Sequence, residues 1–193
     1  MTAASGLAAA SSAPMRPLPG GAALYGTVAV IFGLALLCGC QTDKDKTSKE
    51  VSAVRIHLEA EADNPETTQS ITVFRADPIT LTIDKDPLFT EANLAAAKII
   101  NSEGGFAIQL NFDESSSMIL EQYTASYLGK HLAIFGQWGQ KLSDGRWLAA
   151  PMITRRIYNG TLAFTPDMSR EEAGQFVTGL TNVIKKQQKE QLK

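Results

Sequence analysis

Cysteine is missing from most of this sequence. The chain has 193 residues, and its two cysteines, Cys38 and Cys40, both stand near the N-terminus. From residue 41 onward the chain can form no disulfide and no zinc site with thiolate ligands. About 150 residues remain beyond Cys40, which is enough for one domain that buries a core without covalent staples.

Histidine and clustered positive charge are also scarce. The two histidines, His57 and His131, have no cysteine or second histidine at a metal-ligand spacing. Of the 18 basic residues only Arg16 precedes Cys40, and none of the 20 acidic residues does, so residues 40–193 carry a formal net charge of −3. Because phosphate binding needs a basic face, nucleic acid is not an expected partner.

The sequence lacks the motifs of the common enzyme classes. It has no Gly-x-Ser-x-Gly nucleophile elbow, no phosphate loop and no dinucleotide fingerprint. The serines of residues 115–117 fall in the first turn of a predicted helix, where serine is a capping residue. We therefore expect a protein that is not an enzyme and that has no cofactor and no bound metal.

One apolar run, from Ala22 to Leu37, ends in Leu37-Cys38-Gly39-Cys40. It is shorter than the roughly 20 apolar residues of a membrane-spanning helix. The tetrapeptide resembles the lipobox of bacterial lipoproteins, in which the cysteine after the small residue is acylated. This predicts a signal peptide over residues 1–39, lipidation of Cys40 and a flexible tether over residues 40–50. The alternative is a signal-anchor helix in which both cysteines are incidental.

Lipidation of Cys40 implies a location in the bacterial cell envelope, with the protein anchored by lipid and facing the periplasm. Gln41, rather than an aspartate, follows the cysteine. By the sorting rule of some Gram-negative bacteria, this favours the outer membrane over the inner membrane. A membrane is therefore one expected partner.

Alternating apolar residues predict strands in a single domain over residues 51–193. Val54, Ile56 and Leu58 alternate with polar residues, as in a half-buried strand. The same reasoning predicts strands over 71–74, 79–83, 97–101, 106–112, 131–135, 147–153 and 157–164. The strands over 97–101 and 106–112 flank Glu103-Gly104-Gly105, which predicts a hairpin.

Two amphipathic helices are also predicted. The first is capped by Asp113 or Ser115, and its apolar face includes Ile119, Tyr123 and Tyr127, which recur every four residues, with Leu120 and Leu128 beside them. The second opens with a capping box, and its apolar stripe comprises Ala173, Phe176, Val177, Leu180, Val183 and Ile184. This arrangement predicts an α+β fold, a two-layer sandwich of an antiparallel or mixed sheet with both helices packed on one face.

Five landmarks in their order and spacing carry a family resemblance. They are the strand over 108–112 followed by a helix, the segments 129–134 and 150–153, Gly160 before a strand, and Glu171-Glu172-Ala173 at the start of the last helix. From about residue 88 to 184 the chain resembles the head subdomain of the first periplasmic region of SecD and SecDF, membrane proteins of bacterial protein export. The resemblance implies a fold and polypeptide binding at the cell envelope. The charged membrane helices of that family are not matched, so a proton-driven motor is not expected.

The sequence departs from this family between Gly136 and Trp147, where an expanded segment replaces a tight turn. Two tryptophans that flank polar and cationic residues are typical of recognition surfaces. The alternative, favoured by the frequency of buried aromatics, is that both tryptophans pack as a hairpin over the sheet. The candidate binding residues are Trp138, Gln140, Lys141, Arg146, Trp147, Arg155 and Tyr158.

Two functions of different kinds follow from these features. The favoured one is a non-catalytic, lipid-anchored envelope protein that binds a protein or unfolded polypeptide in protein export or envelope assembly. The alternative is a structural envelope lipoprotein with no role in handling substrates. A hydrolytic enzyme is the weakest alternative.

Overall fold

The structure is a computed structural model that describes residues 50–191. The predicted signal peptide, the lipidation site Cys40 and all but the last residue of the predicted tether lie outside the described residues. The first described residue contacts the C-terminal helix, because Asn182 Nδ2 donates a hydrogen bond of 3.0 Å to the Glu50 carbonyl oxygen.

Nine strands and two α-helices form within residues 50–191. In chain order they are β1 (Ala53–Leu58), β2 (Thr68–Val73), β3 (Ile79–Asp84), β4 (Phe89–Thr90), β5 (Leu94–Ser102), β6 (Gly105–Phe112), α1 (Glu114–Ser126), β7 (Leu132–Trp138), β8 (Asp144–Ala149), β9 (Thr161–Phe164) and α2 (Arg170–Gln191). Two short 3-10 turns, Glu91–Asn93 and Gln140–Leu142, lie between them. The α+β class is confirmed.

The strands form three antiparallel sheets rather than one. Their orders are β4-β1-β7-β8, β2-β3 and β5-β6-β9. The β2-β3 hairpin covers one face of the four-stranded sheet, where Ile71, Val73 and Ile83 pack against Ala133 and Ala150. The opposite face carries the main core, which also receives the apolar residues of β6, β9 and α2.

Close packing explains one glycine in this main core. A Cβ atom added to Gly136 would lie 2.5 Å from Leu148 Cδ1 and 3.0 Å from Phe176 Cε2. Both distances are below ordinary van der Waals contact, so a larger residue would force the sheet and α2 apart. Glycine on β7 therefore allows α2 to lie directly on the four-stranded sheet.

Helix α1 begins where the sequence predicts, but its buried face is different. The Asp113 side chain accepts a hydrogen bond of 2.7 Å from the Ser116 amide and caps the helix. The buried positions are Ser116, Leu120 and Thr124, whereas Ile119 and Tyr127 are each 41% exposed. The predicted apolar face of α1 is therefore confirmed at Leu120 and wrong at Ile119, Tyr127 and Leu128, the last of which is 59% exposed.

Helix α2 matches its prediction closely. The Glu172 amide donates to Ser169 Oγ at 3.1 Å, and the Ser169 amide donates to Glu172 Oε2 at 2.7 Å, which completes the capping box. Ala173, Phe176 and Leu180 have no exposed surface. The predicted stripe thus faces the core.

A cleft between strands β8 and β9 as the candidate functional site

The expanded segment that the sequence analysis singled out is mostly strand. β7 continues through Trp138 and β8 begins at Asp144, which leaves residues 139–143 as the connecting turn. Gln140 and Lys141 are exposed on this turn. The segment is therefore a longer hairpin, not a wide loop.

The two tryptophans lie on opposite faces of the four-stranded sheet. Trp138 is 2% exposed and lies in the main core, with its ring centre 6.0 Å from that of Phe176. Trp147 is half-buried on the other face, where its ring centre lies 5.2 Å from Phe135 and 5.4 Å from His57. The sheet separates the indoles, so the structure does not form a surface that contains both.

Arg146 connects β8 to the start of α2. Its Nε donates to the Asp167 carbonyl oxygen at 3.0 Å, and its Nη2 donates to Glu172 Oε1 at 2.6 Å. The guanidinium carbon also lies 4.9 Å from the centre of the Trp138 ring. Burial opposes ionisation of Glu172, but the hydrogen bonds from Ser169 and Arg146 outweigh it and lower the pKa of that carboxyl group. Arg146 is therefore occupied within the domain.

The remaining two candidate residues, Arg155 and Tyr158, lie together in the connection between β8 and β9. Both are exposed, and Tyr158 has 77% of its surface in solvent. They line a cavity of about 360 Å³, the first cavity, together with Met152, which is 52% exposed. Exposed apolar and aromatic side chains around a concavity are typical of recognition sites.

A second cavity, of about 450 Å³, lies next to the first. Its lining is mainly apolar and comprises Phe74, Ile100, Ser102, Ala107, Ala149, Ala150, Pro151, Ala163, Phe164 and Thr165. Pro151 and Ala163 line both cavities. We call the two cavities together the β8–β9 cleft, because one wall is the end of β8 with residues 150–153 and the other is β9.

Helix α1 holds the connection in place. Thr124 is fully buried, and its Oγ1 accepts a hydrogen bond of 2.9 Å from the Ile157 amide while donating to the Leu120 carbonyl oxygen at 2.7 Å. Arg156 Nη2 forms an ion pair with Glu121. These contacts attach Arg156 and Ile157, which lie between Arg155 and Tyr158, to α1.

Several cleft residues were not identified from the sequence. Ala150-Pro151-Met152-Ile153 appeared there only as a landmark of the family resemblance. Proline has no amide hydrogen, so Pro151 cannot donate to a neighbouring strand, which is a local signal for an interrupted edge. The sequence gives no indication that Phe74 lines the cleft. In the structure this residue has a φ of 69°, which is rare for a non-glycine residue.

Neither histidine lines the cleft, although His131 pairs through its backbone with Met152. His57 is 4% exposed, and its Nδ1 lies 2.8 Å from the Asp84 carbonyl oxygen. Since a carbonyl oxygen only accepts hydrogen bonds, Nδ1 is the protonated nitrogen. His131 Nδ1 lies 2.7 Å from Glu59 Oε2, and its amide donates to the same oxygen at 2.8 Å. The His57 ring therefore connects β1 to β3, and the His131 ring contacts the residue that follows β1.

Burial of His57 predicts a loss of stability at mildly acidic pH. Desolvation lowers the pKa of His57 below the 6.5 of an unperturbed histidine. The imidazole therefore binds a proton more tightly in the unfolded chain than in the folded one. The contribution of neutral His57 to the stability of the fold is complete above pH 6.5, and it declines as the pH falls toward the lower pKa of the folded state. We expect the melting temperature of the full chain to fall between pH 7 and 5. His57→Asn keeps a donor for the Asp84 carbonyl oxygen, and in this variant the fall in melting temperature between pH 7 and 5 should be smaller. An equal fall in the variant and the parent would show that His57 is not the responsible group.

Among residues 50–191, no three histidine, cysteine, aspartate or glutamate side chains converge as a metal site would require. No helix in the same range is both long and apolar enough to span a bilayer.

The geometry of the fold and cleft can be compared with known proteins. A family model of the SecDF P1 head subdomain matches residues 67–182. This is more than half of the chain, and the chain belongs to the SecDF P1 head family. The match begins at β2, earlier than the residue 88 expected from the sequence, and the predicted resemblance is confirmed.

Two solved structures share the fold. One, described as a membrane component SecDF that enhances protein export, is 23% identical with a TM-score of 0.50, over 76% of this chain and 71% of that chain. Another, SecDF in a super-membrane-facing form, is 22% identical with a TM-score of 0.52, over 75% of this chain and 21% of that chain. No match was found among curated proteins.

Proposed function

We propose that this protein is a non-catalytic, lipid-anchored binding module of the bacterial cell envelope that captures extended or unfolded polypeptide in the β8–β9 cleft. The observation that carries the proposal is the first cavity, where the exposed Met152 and Tyr158 border a concave surface on a connection that is attached to α1. Membership in the SecDF P1 head family supports a role linked to protein export.

The chemistry of the first cavity suits a polypeptide. Tyr158 offers an aromatic ring with a hydroxyl group, and Met152 offers a flexible thioether that adapts to different apolar partners. Arg155 adds a positive charge at the rim. Such a surface can bind many different unfolded segments weakly.

A binding assay with an unfolded protein tests this proposal. The full chain in detergent is mixed with a fluorescent test protein that has been reduced and carboxymethylated so that it stays unfolded. We expect binding to this form and none to the same test protein with its disulfides intact. Absence of binding to either form would contradict the proposal and favour a structural lipoprotein.

Two variants test whether the unfolded protein binds at the first cavity. Tyr158→Ala combined with Met152→Ala should weaken binding by about tenfold or more, because exposed anchor residues contribute mainly to affinity. Met118→Ala is the matched control, since Met118 is 63% exposed on α1 and does not line the cleft. Both variants should keep the melting temperature of the parent protein within a few degrees.

The lipid anchor is a separate part of the proposal. It is supported by the lipobox-like sequence before Cys40, and the outer membrane is favoured by Gln41. Mass spectrometry of the N-terminal peptide should find an acylated cysteine at residue 40. Cys40→Ser should leave uncleaved precursor, and a mature chain that begins before residue 40 would contradict this part.

A further inference from the structure

One edge of β9 has backbone groups without partners. β9 ends the sheet β5-β6-β9, so β6 is its one neighbouring strand within residues 50–191. The Phe112 amide donates to the Gly160 carbonyl oxygen at 2.9 Å, so Gly160 bonds to β6. In an antiparallel pair of strands, every second residue bonds to the partner strand and the residues between them point their backbone groups the other way. Leu162 and Phe164 therefore bond to β6, and Thr161 and Ala163 direct their amide and carbonyl groups outward.

The outward groups of β9 are almost all available. The Thr161 amide donates to Asn159 Oδ1 at 3.2 Å. Within residues 50–191, the Ala163 amide and carbonyl groups form no hydrogen bond to backbone or side chain. Ala163 is exposed and lines both cavities. The most accessible part of the edge is therefore the middle of the cleft.

The opposite wall of the cleft is also an unpaired edge. The Leu132 amide donates to the Pro151 carbonyl oxygen at 3.0 Å, and the Ile153 amide donates to the Lys130 carbonyl oxygen at 2.8 Å. Since these two bonds face β7, the residue between them, Met152, directs its own amide and carbonyl away from β7. The cleft closes beyond Leu148, whose carbonyl oxygen accepts from the Asp167 amide at 2.7 Å.

Charge differs between the two ends of the cleft. Arg155 at the first cavity is exposed and forms no ion pair with any residue of the described range, whereas the neighbouring Arg156 is paired with Glu121. The second cavity is mainly apolar and has no charged residue in its lining. A ligand that complements both ends carries an acidic group at one end and apolar side chains at the other.

We propose that a short, extended polypeptide segment adds to the free edge of β9 as an antiparallel strand, with an apolar side chain in the second cavity and an acidic group against Arg155. This inference rests on the proposed function and specifies how the polypeptide is held. Antiparallel pairing matches the remainder of the sheet and is the more stable kind of pairing. Because β9 runs from the first cavity to the second, the acidic group lies toward the C-terminal end of the bound segment.

This mode of binding uses backbone hydrogen bonds for affinity and the two cavities for selectivity. β9 has four residues, so a bound strand of similar length spans roughly 13 Å. Peptides with a proline at a position whose amide would face β9 should therefore bind poorly, because proline has no amide hydrogen to donate.

A designed peptide tests the mode directly. The probe is a seven-residue peptide that alternates valine and threonine and ends in two aspartates, titrated against the isotope-labelled full chain in detergent and followed by NMR. We expect the amide signal of Ala163 to shift on binding. The same peptide with methylated backbone nitrogens should bind about tenfold or more weakly, because it cannot donate to the strand edge.

Variants of the protein separate the backbone contact from the charge contact. Ala163→Pro removes the outward amide but no bond to β6, and it should weaken binding about tenfold, whereas the control Ala163→Ser should not. Arg155→Glu should weaken binding of the aspartate peptide and strengthen binding of a matching peptide that ends in two lysines. Melting curves show whether each variant remains folded, and Arg155→Glu provides the test if Ala163→Pro does not fold.

The outcomes are distinct. If the unfolded test protein binds but Ala163→Pro, Arg155→Glu and peptide methylation have no effect, the strand-addition mode is wrong and the proposed function stands. If the aspartate peptide shifts no amide signal and the unfolded test protein does not bind, both the strand-addition mode and the proposed function are wrong. Sedimentation that shows a dimer dissociated by Ala163→Pro would overturn the inference in favour of pairing between two copies.

Discussion

Replacing Trp138 with alanine is expected to lower the free energy of unfolding by about 3–5 kcal/mol. The indole is 2% exposed, packs against Phe176 and lies under the Arg146 guanidinium, so its removal leaves a cavity and loosens the contact between β8 and α2. Chemical denaturation of the full chain, followed by circular dichroism, measures the change.

Trp147→Ala is the matched comparison for this experiment. Trp147 belongs to the same hairpin but is half-buried on the other face, so its loss should cost less than the loss of Trp138. A Trp138→Ala protein as stable as the parent, within about half a kcal/mol, would contradict the placement of this indole in the core.

Leu180→Ala is expected to cost about 2–5 kcal/mol of stability. Leu180 has no exposed surface and lies in the middle of the α2 stripe, in the main core. The control is Gly174→Ala in the same helix, where an added Cβ would meet no atom within 4 Å. That control should raise stability by up to about 1 kcal/mol through helix propensity. A loss below about half a kcal/mol for Leu180→Ala would show that this face of α2 is not buried.

The parts of the fold that were predictable depend on local patterns. The capping box at Ser169 and the apolar stripe through Leu180 require only neighbours within one helix, and both are present. The same is true of the β5-β6 hairpin, where Ser102 pairs with Gly105 across a two-residue turn.

The errors arose where tertiary contacts decide. Thr124 is buried in α1 because its hydroxyl accepts from the Ile157 amide, a partner 33 residues away that no helical periodicity reveals. Trp138 and Trp147 were considered either as one binding surface or as a packed hairpin, but Trp147 pairs with Phe135, three residues from Trp138, so the two indoles lie on opposite faces of the sheet. This register depends on the length of the turn over residues 139–143, which the sequence pattern did not define.

The cleft was only partly predictable for the same reason. Arg155 and Tyr158 were chosen for their chemistry and do line the first cavity. The second cavity combines residues from β5, β6, β8 and β9 with Phe74 after β2, and these meet only when three sheets have assembled. Whether the residues bind a partner stays a prediction.

The most direct test of polypeptide binding in the β8–β9 cleft is site-specific crosslinking. A photoreactive benzoylphenylalanine is placed at Tyr158 in one full-length variant and at Met118, which is exposed outside the cleft, in another. Each is irradiated with the unfolded test protein, and the products are identified by mass spectrometry. The account predicts strong crosslinking from position 158 and little from position 118. Equal crosslinking from both positions, or binding with no crosslink from position 158, would contradict it.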